Sequence, residues 1–289
     1  MAAVTGAARL DTRTTPPAAP RALPDLAALR AIALPDLVQR AALQTRVDRK
    51  YLVTTTTLAA MMDELAGSTV ILDIDGTRVF GYSSVYFDTA DLLCFREHRQ
   101  GRRRRFKVRT RSYLDSGDCL LEVKAVGPRG RTVKSRTGHP TASPGRLTAE
   151  GRAFVADALE RHPAVPVLRP SVVTDYHRIT LLDPENGSRV TVDLGLRFTG
   201  VADSAGAVVP APADTVVVET KSEFRPGRAD WALQRMGARP QSVSKYCLGV
   251  ALLHPELPAN RWHRVLRRHF GVEPGRASGD CGRGRPIGP

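Results

Sequence analysis

Charged residues recur at every second position in several short stretches of the chain. RVDRKY holds Arg46, Asp48 and Lys50 in one phase, and FKVRTRSY holds Lys107, Arg109 and Arg111. LEVK pairs Glu122 with Lys124, TVKSR pairs Lys134 with Arg136, and RVTVD sets Arg189 and Asp193 about Thr191. VVVETKS pairs Glu219 with Lys221, and DYHR adds Arg178. Side chains at i, i+2 and i+4 of a β-strand share a face. An ordinary solvated face mixes charge with Ser, Thr, Gln and Asn, whereas these faces are nearly pure Arg, Lys, Asp and Glu. Like charges in such rows repel, and an anion carrying several negative charges would relieve them. The few carboxylates among them would hold a divalent cation that bridges phosphate oxygens. Phosphoryl transfer fits this inventory, because it needs positioning and charge neutralisation more than covalent help from the protein. No Ser–His–Asp or Cys–His arrangement, Walker A loop or G-x-G-x-x-G motif accompanies the charges.

The balance of the whole chain points the same way. Its 289 residues include 43 basic and 29 acidic side chains, a formal net charge of +14. The partner is therefore anionic: nucleic acid, anionic lipid, or a phosphate-rich molecule or polymer. The run Arg102–Arg105 lacks an aromatic stacking series or a helix-turn-helix pattern, which disfavours nucleic acid. No apolar run approaches 18 residues, so no transmembrane helix is expected. The first residues hold no continuous apolar segment, so no secretory signal is expected either. Cys94, Cys119, Cys247 and Cys281 show no metal-ligand spacing and fit a reducing cytoplasm.

Many strands must position these faces. Alternation of β-branched or aromatic residues, bounded by Gly, Pro, Asp or Asn, predicts strands at 45–53, 70–74, 82–88, 95–99, 104–113, 118–125, 132–137, 172–182, 189–196 and 215–222. ENGSR at 185–189 reads as a hairpin. Helices are expected at 58–65 after Thr57, at 149–160 after Thr148, and at 230–236, 245–253 and 261–269. Residues 1–44 read as mostly disordered, with a short helix near 26–37, and 271–289 as a flexible basic tail. Residues 45–270 then form one α+β domain built on an antiparallel sheet or barrel. In a closed barrel the apolar faces would point outward under helices and the charged faces would line a tunnel. In YFDT, Tyr86 and Phe87 read as aromatic anchors and Asp88 as a turn former.

RVDRKY, SSVYFDT, KVRTRSY, LEVK, TVKSR, DYHR, RVTVD, VVVETKS and SVSKY, in this order, resemble the VTC domain. That domain is the catalytic module of the vacuolar transporter chaperone polyphosphate polymerase, with bacterial homologues, within the CYTH-like triphosphate tunnel metalloenzymes. The resemblance covers about 45 to 255. It implies an antiparallel β-barrel tunnel with flanking helices and a catalytic divalent metal, Mn2+ or Mg2+. It places phosphate-binding roles on Lys50, Arg109, Arg111, Lys124, Lys134, Arg178, Arg189 and Lys245. Glu219 matches the family's metal-binding glutamate, Glu122 is the second carboxylate assigned to the metal, and Asp48 and Asp193 are further candidates. The implied reaction moves the γ-phosphate of ATP, or another nucleoside triphosphate, onto a growing polyphosphate chain. Hydrolysis of triphosphate or short polyphosphate in the same tunnel is the alternative, and a non-catalytic polyphosphate or nucleotide sensor is another. Fungal members imply a cytoplasmic location at the inner face of a membrane, held there by a partner protein. Two positions depart from relatives: Arg46 and Asp48 replace the glutamates of Glu-x-Glu-x-Lys, and Ser242 stands where polymerases can carry lysine.

Overall fold

The computed structural model describes residues 25–40, 47–126, 132–160, 162, 166–201, 204 and 206–273. Arg46 lies outside them, as do 1–24 and 41–44 of the segment expected to be disordered over 1–44 and 274–289 of the tail expected over 271–289. Eight long strands carry the fold: β2 (Val47–Thr54), β4 (Phe80–Asp88), β5 (Phe106–Tyr113), β6 (Cys119–Val126), β7 (Thr132–Gly138), β8 (Arg169–Leu182), β9 (Arg189–Gly200) and β11 (Thr215–Ser222). They hydrogen-bond in the order β2-β11-β9-β8-β4-β5-β6-β7, each pair antiparallel. Short β3 (Val70–Leu72) joins β8, β1 (Arg30–Ile32) runs parallel to β3, and β10 (Val208–Pro210) adds to β9. The helices are α1 (Leu34–Arg40), α2 (Thr55–Leu65), α3 (Leu93–Gln100), α4 (Ala149–Ala158), α5 (Arg228–Arg235) and α6 (Lys245–Leu253), followed by a distorted helical segment at 260–270. The architecture is the expected α+β one, an antiparallel sheet with helices around it.

The sheet curls. No hydrogen bonds join the edge strands β2 and β7 among the described residues. Yet Lys50 and Asp48 of β2 lie close enough to Lys124 of β6 to act on its charge. The loop before α6 covers part of the free edge, with the Gln241 amide donating to the Lys50 carbonyl at 2.7 Å.

Alternation decides what the curled sheet encloses. Tyr51, Val53, Val190, Val192, Val216 and Val218 face outward and pack with Leu58, Met61 and Met62 of α2 and Leu233 of α5. Phe106, Val108, Leu121 and Val123 face outward and pack in a second cluster with α3, α4 and α6. Each large side chain buried this way contributes about 1.5–3 kcal/mol. The opposite phase, which holds the charges, faces in. At one end that inner phase turns apolar: Leu52, Val172 and Val217 join the cluster that includes α6. Helix α6 thus closes one end of the interior. Its Gly249 is required there, since a Cβ would come within 2.8 Å of Phe198 and 2.9 Å of Val172.

Three expected elements differ. The helix expected near 26–37 is instead strand β1, followed by α1 from Leu34. Residues 95–99 are not a strand but the body of α3. The Asp88 carboxylate accepts the amides of Cys94 (2.8 Å) and Phe95 (3.1 Å), satisfying the first turn, and Gly101 at φ +68° ends the helix. The alternation there was that of a short amphipathic helix with Cys94 and Phe95 buried. Helix α2 starts earlier than expected: Thr54, not Thr57, is its cap, accepting the Thr57 amide at 3.2 Å. Helices α4 after Thr148 and α6 after Ser244 follow the expected signals.

Candidate functional site

Three carboxylates withdrawn from solvent sit on the inner face, each gripped by two cations, while Asp48, in the same phase of β2 as Lys50, is exposed. Glu122 of β6 lies directly opposite Arg109 of β5. Its Oε2 accepts from Arg109 Nε at 2.7 Å, and its Oε1 from Lys134 Nζ at 2.5 Å. Asp193 of β9 lies opposite Arg178 of β8. It accepts from Arg178 Nε at 2.6 Å and from a terminal guanidinium nitrogen at 2.8 Å, and from Lys245 at the start of α6. Glu219 of β11 lies opposite Lys50 of β2, 3.5 Å from its Nζ, and also accepts from Lys221. Strand register therefore supplies one cation of each trio directly.

The three carboxylates are withdrawn from solvent yet ionised. Burial pushes the Glu122 carboxyl up, and the Arg109, Arg111 and Lys134 charges more than reverse it. Arg178 and Lys245 do the same for Asp193, and Lys50 and Lys221 for Glu219. The lysines feel the opposite pressure. Burial, helped by the crowding of Lys124, Lys50 and Arg109, brings Lys107 down to about 8 against the opposing pull of Cys247. Lys221 is also brought to about 8, burial outweighing the pull of Glu219. The interior thus holds more positive charge than its own carboxylates neutralise.

Aromatic rings line the same space. Arg178 lies over Tyr82 and Tyr176, Arg111 over Tyr82, Arg109 over Tyr86 and Lys245 over Tyr176, at 4.5–5.6 Å from the ring centres. Tyr86 also accepts from Arg109 at 2.8 Å, so this anchor is part of the tunnel wall. Arg111 Nε, Tyr176 Oη, Ser84 Oγ and Thr191 Oγ1 are buried on the inner face without a hydrogen-bond partner. Buried polar atoms rarely stay unpaired, so these mark where ligand oxygens or water belong.

Sequence reasoning placed Lys50, Arg109, Arg111, Lys124, Lys134, Arg178 and Arg189 in the inward phase, and the structure brings the first six around the three carboxylates. Arg189 stands across from Lys221. Lys245 joins them from α6 rather than from a strand. Reasoning from single strands missed Tyr82 and Tyr176, which register would have found, since Tyr82 faces Tyr176 across β4 and β8. It also missed Arg261: its guanidinium donates to Ser242 Oγ at 3.1 Å, bringing a cation to the position where lysine is missing.

A divalent metal can be held here only in company with a phosphate ligand. Among the described residues no three of His, Cys, Asp and Glu converge. Glu122 is 3% exposed and has both oxygens taken, and Asp193 is fully buried in its own trio. Glu219 is the more open, at 17%. One carboxylate plus substrate oxygens is a normal set for Mg2+, so the residues fit a metal that arrives with its nucleotide on Glu219.

No curated protein matches the chain significantly. Among solved structures, the putative adenylyl cyclase of Hippeastrum, described as having a dominant triphosphatase activity, is 14% identical with a TM-score of 0.44, over 71% of this chain and 95% of that one. A protein of Pyrococcus horikoshii is 12% identical with a TM-score of 0.34, over 67% and 90%. These likenesses are too distant to argue from. The profile of the VTC domain, however, matches residues 45–254, most of the chain. Those residues hold every charged strand face described above and Lys245 of α6, and the chain belongs to the VTC-domain family.

Proposed function

We propose that the protein is a metal-dependent polyphosphate polymerase that moves the γ-phosphoryl group of ATP onto a polyphosphate chain inside the tunnel. The observation that carries this reading is the excess of inward Arg and Lys over the carboxylates they grip, Glu122, Asp193 and Glu219. Such an interior is complementary to a linear polyanion and to little else.

In the proposed reaction a terminal oxyanion of the polyphosphate attacks the γ-phosphorus, the bond to the β,γ-bridging oxygen breaks, and ADP leaves. The acceptor is already ionised, so no general base is needed. Two polyanions must approach each other, and Arg109, Arg111, Arg178 and Arg189 suit that task through fixed, bidentate guanidinium contacts. Lys50, Lys124, Lys134 and Lys245 add point charges where charge shifts between the bridging and attacking oxygens. Glu122 and Asp193 hold Arg109 and Arg178 in place before substrate arrives. A Mn2+ or Mg2+ ion on Glu219 would supply further neutralisation of the β- and γ-phosphate oxygens. Lys50 and Lys221 already flank that carboxylate and orient it. ADP with a lengthening polymer is the expected product of ATP and Mn2+; orthophosphate without polymer would make the tunnel a triphosphatase instead.

A further inference from the structure

Beside the first turn of α6, Arg105, Lys107, Lys124 and Arg261 surround a cavity of about 180 Å3, with His98 and Trp262 in its wall. No Asp or Glu lines it among the described residues. Lys107 and Lys124 stand directly opposite each other on β5 and β6, where like charges repel. Neither has an ion-pair partner among the described residues. Burial, then the charges of Lys107, Arg105 and Arg261, keeps His98 neutral despite the hydrogen bond its Nδ1 donates to the Cys94 carbonyl.

Arg261 is held in place. Its guanidinium donates to the His98 carbonyl at 3.3 Å and to Ser242 Oγ at 3.1 Å. The neighbouring Trp262 indole donates to the Ser242 carbonyl at 3.0 Å. The segment that carries them lies beyond the residues matched by the family profile, which end at 254. The catalytic trios described above do not use Arg105, Lys107 or Arg261.

We propose that this cavity is a second phosphate-binding site, taking a terminal phosphate of a condensed phosphate, with Arg261 as the cation that determines its affinity. A water needs only about 10–15 Å3, so the space admits a phosphate group or two. Four cations and no carboxylate select a compact, highly charged anion, and a guanidinium suits the tetrahedral oxygens. Trp262 is 3% exposed with its N–H already used, so no free aromatic face is offered to a nucleobase. Only the identity of the occupant as the end of a polymer rests on the polymerase reading; the site itself is defined by binding.

The chain has two tryptophans, and Trp231→Phe leaves Trp262 as the sole fluorophore, in the cavity wall. Titrating that protein with pyrophosphate, without metal and at constant ionic strength, is expected to give a saturable change in Trp262 emission. Arg261→Ala and Lys107→Ala should each weaken it at least tenfold, whereas Arg235→Ala, at an exposed cation outside the cavity, should leave the midpoint within about twofold. The site is refuted if pyrophosphate leaves the emission unchanged, if Arg261→Ala and Lys107→Ala both bind as tightly, or if Arg235→Ala abolishes the response as fully as they do. ATP turnover by the same proteins separates the two readings. A normal pyrophosphate response without turnover would remove the polymerase and keep the site. Normal turnover without the response would remove the site and keep the polymerase.

Discussion

Arg178 and Asp193 face each other across β8 and β9 and are joined by two hydrogen bonds, at 2.6 and 2.8 Å, on the inner face of the curled sheet. The aspartate is fully buried and also holds Lys245. Breaking one side of a buried ionic group leaves the other uncompensated, at about 3–5 kcal/mol. Asp193→Ala is therefore expected to lower the unfolding free energy by about that amount. Tripolyphosphate should restore part of the loss, because its oxygens replace the carboxylate. Denaturant titrations with and without the anion check both, and an additive-independent loss would speak against an inward-facing anion site.

Arg109 and Arg111 share a strand face but not a fate. Arg109 neutralises Glu122, while Arg111 is 8% exposed with its Nε unpartnered. Arg109→Met should destabilise the protein by about 3–5 kcal/mol, since it leaves buried Glu122 with Lys134 as its remaining hydrogen-bonded cation. Arg111→Met should be neutral or stabilising, because it removes a buried charge that makes no direct ion pair among the described residues. Both should lower ATP turnover by about 100-fold or more. Paired thermal melts and rate measurements would show the split.

Asp88 acts at a distance from the tunnel. Buried completely, it accepts the amides of Thr89, Cys94 and Phe95 and the hydroxyl of Tyr246 on α6. Tyr246 follows Lys245, so Asp88 fixes where Lys245 enters the tunnel. Asp88→Ala should cost about 1.5–3 kcal/mol or more, and Tyr246→Phe less. In both variants turnover should fall further than pyrophosphate binding at the cavity wall, which calorimetry and rate assays can compare.

Acid should unfold the protein in two stages. Burial holds His98, His177 and His269 below the ordinary histidine value, His98 at about 3. The unfolded chain therefore binds their protons first, and stability is lost as pH falls below about 6.5, at up to about 1.4 kcal/mol per pH unit for each group. Glu122, Asp193 and Glu219 are held low by their cations, so their contribution is present above about pH 4.5 and is lost as pH falls from there toward their folded values. Melting temperatures from pH 8 to 3 should bend twice, and His98→Gln should soften the upper bend.

Much of this site was legible because side-chain alternation is a strong local rule. Lys50, Arg109, Lys134, Arg178 and Glu219 needed only the phase of their own strands. The identity of each carboxylate's partner was not legible, since it depends on register between strands far apart in sequence, as for Glu219 and Lys50. Alternation also misled at 95–99, where the deciding contact is Asp88, seven residues upstream of Phe95. Arg261 escaped notice because nothing local ties it to Ser242; only the fold does.

The central claim is that Glu219 serves turnover while the surrounding cations serve binding. Glu219→Gln keeps the size of the side chain and removes its charge. Wild type and variant, incubated with ATP and Mn2+ and resolved on a gel stained for polyphosphate, give the most direct reading. A ladder is expected from the wild type and at least about a 1000-fold slower accumulation from the variant, a loss of several kcal/mol of transition-state stabilisation, with tripolyphosphate binding retained. An undiminished ladder from Glu219→Gln, or no polymer from the wild type, would contradict it.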